Sequence, residues 1–486
     1  MLNMAYLQGV DRNQTSYLIT SLDNIIDESN PVRVIDAFVN FIDMEKMGFI
    51  IYDPKKPGQC PYNREELLKL HIYGYVNGIR SSRKMEKEAQ RNLEIMWLIN
   101  SLIPDHGTIS SFMKENKNAF RKVLKEFTLL LKGWGLIDGK LIAIDGTKLK
   151  AQNSKHNYIT ETVFQKKLEY VDEQIEEYLK QLEKNDSAER SEVTLLPKDV
   201  ETIQNKLTTY SKMKNEYQEL KDKLKESNIK QVCLVDSEAR GMKNNGKFEV
   251  CYNVQTSVDG KNNLVIDSDV VNDINDLNQL SNMTFRAKSI LRKRKMAVLA
   301  DTGYYNAEKI KECIDKKITL YIKKSKANNQ TGENQFRKEK FIYQVEKDVY
   351  ICPERKELIF TEYTTKKNLR YKRYKCSNCN DCSKKPFCTT AKEGRNLQRW
   401  IFEDTLEHLA EDTLAHNETY KQRRCIVEHP FGTIKRAMGY TYFLRKGLAS
   451  VNAEAASIFI AYNLKRIINI LTVPVLLKKF SQLSRG

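Results

Sequence analysis

The stretch KLIAIDGTKLK, residues 140–150, changes the texture of the chain. Leu141, Ile142, Ala143 and Ile144 form an apolar run that ends at Asp145 and Gly146. So short a run, closed by Asp-Gly, predicts a buried strand followed by a turn. The pattern returns in KMAVLADTGYYNAEKIKECIDKK, residues 295–317. There an apolar strand stops at Asp301, and Asn306 is placed to cap the next helix. Between them, KFEVCYNVQTSVD (247–259) and NNLVIDSDVV (262–271) read as a hairpin, and a helical stretch follows from Asp276 to Arg292. ITLYIKK (318–324) adds one more strand. The resulting order is strand, strand, strand, helix, strand, helix, strand and then helices, an α/β layout with a mixed sheet.

The flanks differ from this core. Residues 1–130 read as a helical N-terminal domain: NREELLKLHIYGYVNGI (63–79) places Leu67, Leu70, Tyr73 and Val76 at three-residue steps. PDHGTISSFMKENKNAF (104–120) offers Thr108, Ser110, Ser111 and Lys114 at a helix start, chemistry suited to DNA phosphates. A plain helical domain with solvated faces fits equally well. Residues 160–228 repeat apolar positions every three or four residues, Leu168 to Leu182 and then Leu207 to Leu224, predicting an inserted helical hairpin. Residues 327–399 are polar, lysine-rich and cysteine-bearing, and read as a second insertion. The core is therefore expected over 138–326 and 400–472.

The chain has 486 residues, with 81 Lys and Arg against 63 Asp and Glu, for a net charge of +18. Such an excess favours polyanionic partners, nucleic acid first among them. The first twenty residues carry no secretory signal. In ASIFIAYNLKRIINIL (456–471), Asn463, Lys465 and Arg466 break the apolar run short of a membrane span. A cytoplasmic protein without a membrane association is expected. No G-x-x-x-x-G-K-[ST] loop is present, which leaves ATP-driven chemistry without support.

RRCIVEHPFGTIKR (423–436) keeps one carboxylate, Glu428, in a basic stretch. On a regular helix Arg424, Glu428 and Lys435 would share a face, although Pro430 and Gly432 disturb it. That face could present an acid to a metal and cations to phosphates, or carry a solvent-exposed Arg–Glu pair. With Asp145 and Asp301 beyond strand ends, where ligands of α/β sheets gather, Glu428 would make a third acid. Three such acids can hold two Mg2+ (or Mn2+) ions for phosphodiester chemistry. Asp236 and Asp273 are the reserve acids. His429 adjoins Glu428, while His106 and His156 stand apart.

IAIDGTK, VLADTGYYN and YKQRRCIVEHPFGTIKR together resemble the DDE transposases of bacterial insertion sequences. The last resembles the Tyr-Arg-Glu-Lys signature of one large group. PYNREELLKLHIYGYVNGIRSSRKMEKEAQRN, LIPDHGTISSFMKE and EARGMKNNGKFEVCYNVQTSVD resemble further segments of a subgroup, and the resemblance spans roughly residues 45–470. It implies an RNase H-like catalytic domain, with Asp145, Asp301 and Glu428 as the metal-binding triad. It also implies Arg424 and Lys435 as DNA contacts. Tyr420 matches less closely, being three residues before Arg423 but four before Arg424. The implied activity is cleavage and strand transfer at terminal inverted repeats and target DNA, by a homodimer that pairs the two ends. An RNase H-like nuclease that cuts without joining, or a domesticated DNA-binding protein, are the competing expectations.

Five of the ten cysteines lie between 352 and 388. CSNCNDCSKKPFC (376–388) has two successive C-x2-C steps and one further cysteine, spacing that suits tetrahedral zinc. Cys376, Cys379, Cys382 and Cys388 are the expected Zn2+ ligands, with free thiols or a redox-sensitive loop as the alternative.

Overall fold

Strand β1 (Leu141–Lys150) does not stop where its apolar run stops. In this computed structural model, which describes residues 20–50, 61–153, 158–188, 197–226, 231–324, 336–366, 368–376, 378–379 and 381–483, β1 continues through Asp145 and Gly146. No turn forms at Asp-Gly, because a long antiparallel neighbour holds the strand extended as far as Lys150, opposite Cys251. A two-stranded ribbon, β2 (Tyr158–Thr160) with β3 (Gln231–Cys233), roots the helical hairpin. The hairpin itself is Glu161–Ala188 and Pro197–Glu226, held antiparallel by contacts such as Tyr178 stacked on Tyr210 and Lys214 paired with Asp172 at 2.6 Å. Its connection, 189–196, lies outside the described residues, as do the side chains of Leu220 and Leu224.

The main sheet is completed by β4 (Arg240–Asn244), β5 (Lys247–Asp259), β6 (Val265–Val271), β7 (Ala297–Ala300) and β8 (Thr319–Ile322). One edge of β5 pairs antiparallel with β1, and the other carries β4 along its first half and β6 along its second. On the far side of β1, β7 and then β8 run parallel to it. The sheet is thus mixed, as the apolar pattern predicts. Helices from Leu22 to Gly133 pack on it through one continuous buried core that also takes in the last helices, Leu448–Leu471 and Val473–Leu483. A buried ion pair ties these ends together. Glu454, fully buried, faces Arg80 at 3.5 Å and accepts from the backbone N–H groups of Leu444 and Arg445.

The helix Leu448–Leu471 also closes an open edge of the sheet. Asn452 and Asn463 each donate to and accept from one residue of β6: Asn452 with Val270, Asn463 with Val265, all at 2.8–3.0 Å. The match is geometric. Eleven helical residues rise roughly 16.5 Å, the same as about five residues of strand. A bulge between β5 and β6 shifts the pairing so that both valines turn their polar groups outward. Asn463, which interrupts the apolar run in the sequence, is therefore a fully buried latch. Among the described residues, no single helix is long and apolar enough to cross a membrane.

The cysteine-bearing segment is more ordered than its polarity suggests. It forms a second, antiparallel sheet in sequential order: β9 (Ile342–Gln344), β10 (Val349–Ile351), β11 (Glu357–Lys366), β12 (Leu369–Lys375) and β13 (Asn396–Trp400). Its small core of Phe341, Tyr350, Leu358, Tyr374 and Leu397 includes Cys376 and Cys388.

Replacing Asn463 by Leu would leave the N–H and C=O of Val265 buried and unpaired. A destabilisation of about 1–3 kcal/mol is expected for such a loss, seen as a lower thermal midpoint. An unchanged midpoint would show that the edge of β6 does not depend on this latch.

Candidate active site

The register of the parallel strands sets two acids side by side. Ile144 of β1 lies opposite Ala300 of β7, and each is followed by an aspartate, Asp145 and Asp301. The pairing ends there, so both carboxylates emerge at the carboxyl end of the parallel pair. Asp145 accepts from the N–H of Gly146 at 2.9 Å, and Asp301 caps the single turn Thr302–Tyr304 through the N–H of Thr302 at 2.7 Å. The side chains are 23% and 48% exposed.

One cation serves both. The helix Asn417–Gly432 buries Ile426, Val427 and Pro430 against β1 and β7. Arg423 lies four and seven residues before Val427 and Pro430, hence on the same face. Its guanidinium reaches Asp145 at 3.3 Å and Asp301 at 3.8 Å. Tyr420, one turn earlier, sits beside it under the Lys323 ammonium, 4.8 Å from the ring centre, and burial raises its phenol pKa.

A third carboxylate approaches from another direction. Asp276 accepts from Asn253 at 2.8 Å and Gln255 at 2.7 Å, both on β5, and Tyr304 donates to Gln255 in turn. A Cβ on Gly146 would fall 2.5 Å from Nε2 of Gln255 and 2.9 Å from Oδ1 of Asp276. Gly146 is thus required for close approach rather than for a turn. Burial pushes the Asp145 carboxyl up to about 6; Arg423 opposes the rise, and Asp301 and Asp276 add to it.

Glu428 lies elsewhere. It accepts from Nε of Arg424 at 2.7 Å on the outer side of the helix, with the two side chains 62% and 77% exposed. Nor does Lys435 share their face. The helix runs through Pro430 to Gly432, and the next turn, Thr433–Ala437, is a π-helix, which breaks the regular angular spacing. Lys435 instead turns inward and donates to the carbonyl of Lys148 at 3.3 Å, where burial lowers its pKa. There it borders a recess of about 450 Å3 lined also by Lys148, Lys150 and Lys247.

Among the described residues, no three His, Cys, Asp or Glu side chains are already gathered to hold a metal. The chemistry of the donor set nonetheless fits one: two adjacent carboxylates already share a cation, and one of them has a pKa raised by burial. Sequence reasoning missed Arg423 and Asp276. The three-residue step from Tyr420 to Arg423 was a usable signal for the first, while nothing local marks the second. Of the reserve acids, Asp236 is buried against Tyr252, while the Asp273 carboxylate accepts from Gln279 and its carbonyl shares the Asn253 amide with Asp276. His429 bonds Tyr462, His106 pairs with Glu86, and His156 lies outside the described residues.

Residues 20–115 match the family model described as a transposase domain, and residues 351–468 match that of the transposase DDE domain. The two matched stretches, together under half of the chain, are thus similar to transposase domains, the second of them to a DDE domain. A structure search finds the cryo-EM structure of the piggyBac transposase synaptic complex with hairpin DNA, 9% identical over 94% of this chain and 79% of that one. The TM-score of 0.29 is too low to establish shared geometry. No curated protein matches the sequence.

A divalent cation held by Asp145 would require its ionised form, so any affinity for Mn2+ at this site should weaken as pH falls through about 6. Asp145→Asn should abolish that pH dependence. Titrations of Mn2+ between pH 5 and 8 check this, and a flat profile in the unmodified protein would contradict it.

Proposed function

We propose that the protein binds the terminal inverted repeats of its insertion sequence, cleaves the phosphodiester at each end and joins the ends to target DNA. The observation that carries this is the pair Asp145 and Asp301 at neighbouring parallel strand ends, bridged by Arg423. The antiparallel order β6-β5-β1 continued by parallel β7 and β8 supports an RNase H-like reading of the core.

Asp145 and Asp301 are the residues that would hold divalent cations, Mg2+ or Mn2+, with Glu428 as the third ligand once it leaves Arg424. Bound there, such ions activate the attacking oxygen and stabilise the leaving one. Water attacks the phosphorus first, and the bond to the 3′-oxygen breaks to leave a 3′-hydroxyl. That hydroxyl then attacks a target phosphodiester, displacing its 3′-oxygen. Arg423, freed from the aspartates, faces the phosphate. Lys435 and the lysines of its recess hold the DNA backbone, as do exposed Ser111 and Lys114 on the N-terminal helices. Two copies pair the two ends.

The position of Asp276 favours a second assignment of the third ligand, since its carboxylate already lies against Gly146. Cleavage of end-bearing DNA separates the two. Asp145→Ala and Asp301→Ala should abolish cleavage while end binding, followed by gel shift, persists. If Glu428 is the ligand, Glu428→Ala should match them and Asp276→Ala should keep partial activity; the reverse transfers the role to Asp276. Hydrolysis of ends without joining of pre-cleaved ends would leave a nuclease and end the transposase mechanism. Binding should also weaken steeply with salt, as backbone contacts require.

A further inference from the structure

The five cysteines between 352 and 388 border one cavity, although no three of their sulfurs are yet drawn around a common point. Cys352, Cys376, Cys379, Cys382 and Cys388 line a single cavity of about 20 Å3, room for about one water-sized sphere. They arrive from two sides. Cys352 follows β10 in a tight turn closed by Arg355 in the left-handed region (φ 58°), and its sulfur accepts from the N–H of Lys356 at 3.2 Å. The other four belong to the loop after β12, where the N–H of Cys382 donates to the carbonyl of Cys379 at 3.3 Å and a short helix ends at Cys388. Gly394, at φ +87°, passes so near that a Cβ would lie 2.5 Å from that of Cys379.

All five are free thiols. Lys356, Lys384, Lys385 and Arg395 also border the cavity and would offset the excess negative charge of a thiolate site. The surrounding core is thin, which is where a structural metal contributes most.

We propose that this cluster binds one Zn2+ ion through Cys352 and three of the four thiols of the 376–388 loop, clipping the β10–β11 turn to that loop. The site differs from the four-cysteine set expected from spacing, because Cys352, from the turn between β10 and β11, lines the same cavity.

The test uses the full-length protein. Metal analysis should find one zinc per chain, and cobalt replacement should give the charge-transfer bands of thiolate ligation. Alkylation followed by peptide mapping should show Cys352 and three loop cysteines protected until a chelator is added, with exposed Cys425 as the reactive control. Cys352→Ser should lose the zinc. The proposal fails if the protein holds no zinc, or if Cys352 is alkylated as fast as Cys425 in the loaded protein. It also fails if Cys352→Ser keeps full zinc. The mapping of unmodified protein stands even if a variant does not fold.

Discussion

Two carboxylates held side by side at the ends of adjacent parallel strands repel each other and call for a cation between them. Arg423 meets that demand, and much of the architecture follows from it. The helix that carries Arg423 must lie across β1 and β7, so its apolar residues Ile426, Val427 and Pro430 are spent on that contact. The electrostatics remain unfinished, since burial still raises the Asp145 carboxyl despite the guanidinium. A site left short of positive charge is poised to accept more of it.

The surrounding frame holds this geometry from both directions. Gly146 lets Gln255 and Asp276 close against β1. The asparagine latches seal the edge of β6, and the Arg80–Glu454 pair ties the early helices to the last long one. The N-terminal helices and the core therefore share one interior.

Much of the core was legible because its signals are local. The apolar runs before Asp145 and Asp301, the cap at Asn306 and the hairpin of β5 and β6 each depend on a few neighbouring residues. The Asp-Gly pair misled because a turn signature yields to a long pairing partner. Regular helical projection failed for Lys435 because a π-turn intervenes. The polarity of residues 327–399 concealed a sheet, since a small core needs few apolar positions.

The sequence by itself determined the kinds of group available: strand-end aspartates, a basic helix with one glutamate, and a run of cysteines at metal-ligand spacing. Which of them meet was decided only by the tertiary structure. Arg423 rather than Arg424 faces the acids, Asp276 joins them, Glu428 stands outside, and Cys352 closes on a distant loop. The reason is geometric: these neighbours lie on different elements, and their approach depends on strand register and helix rotation. No local pattern encodes either.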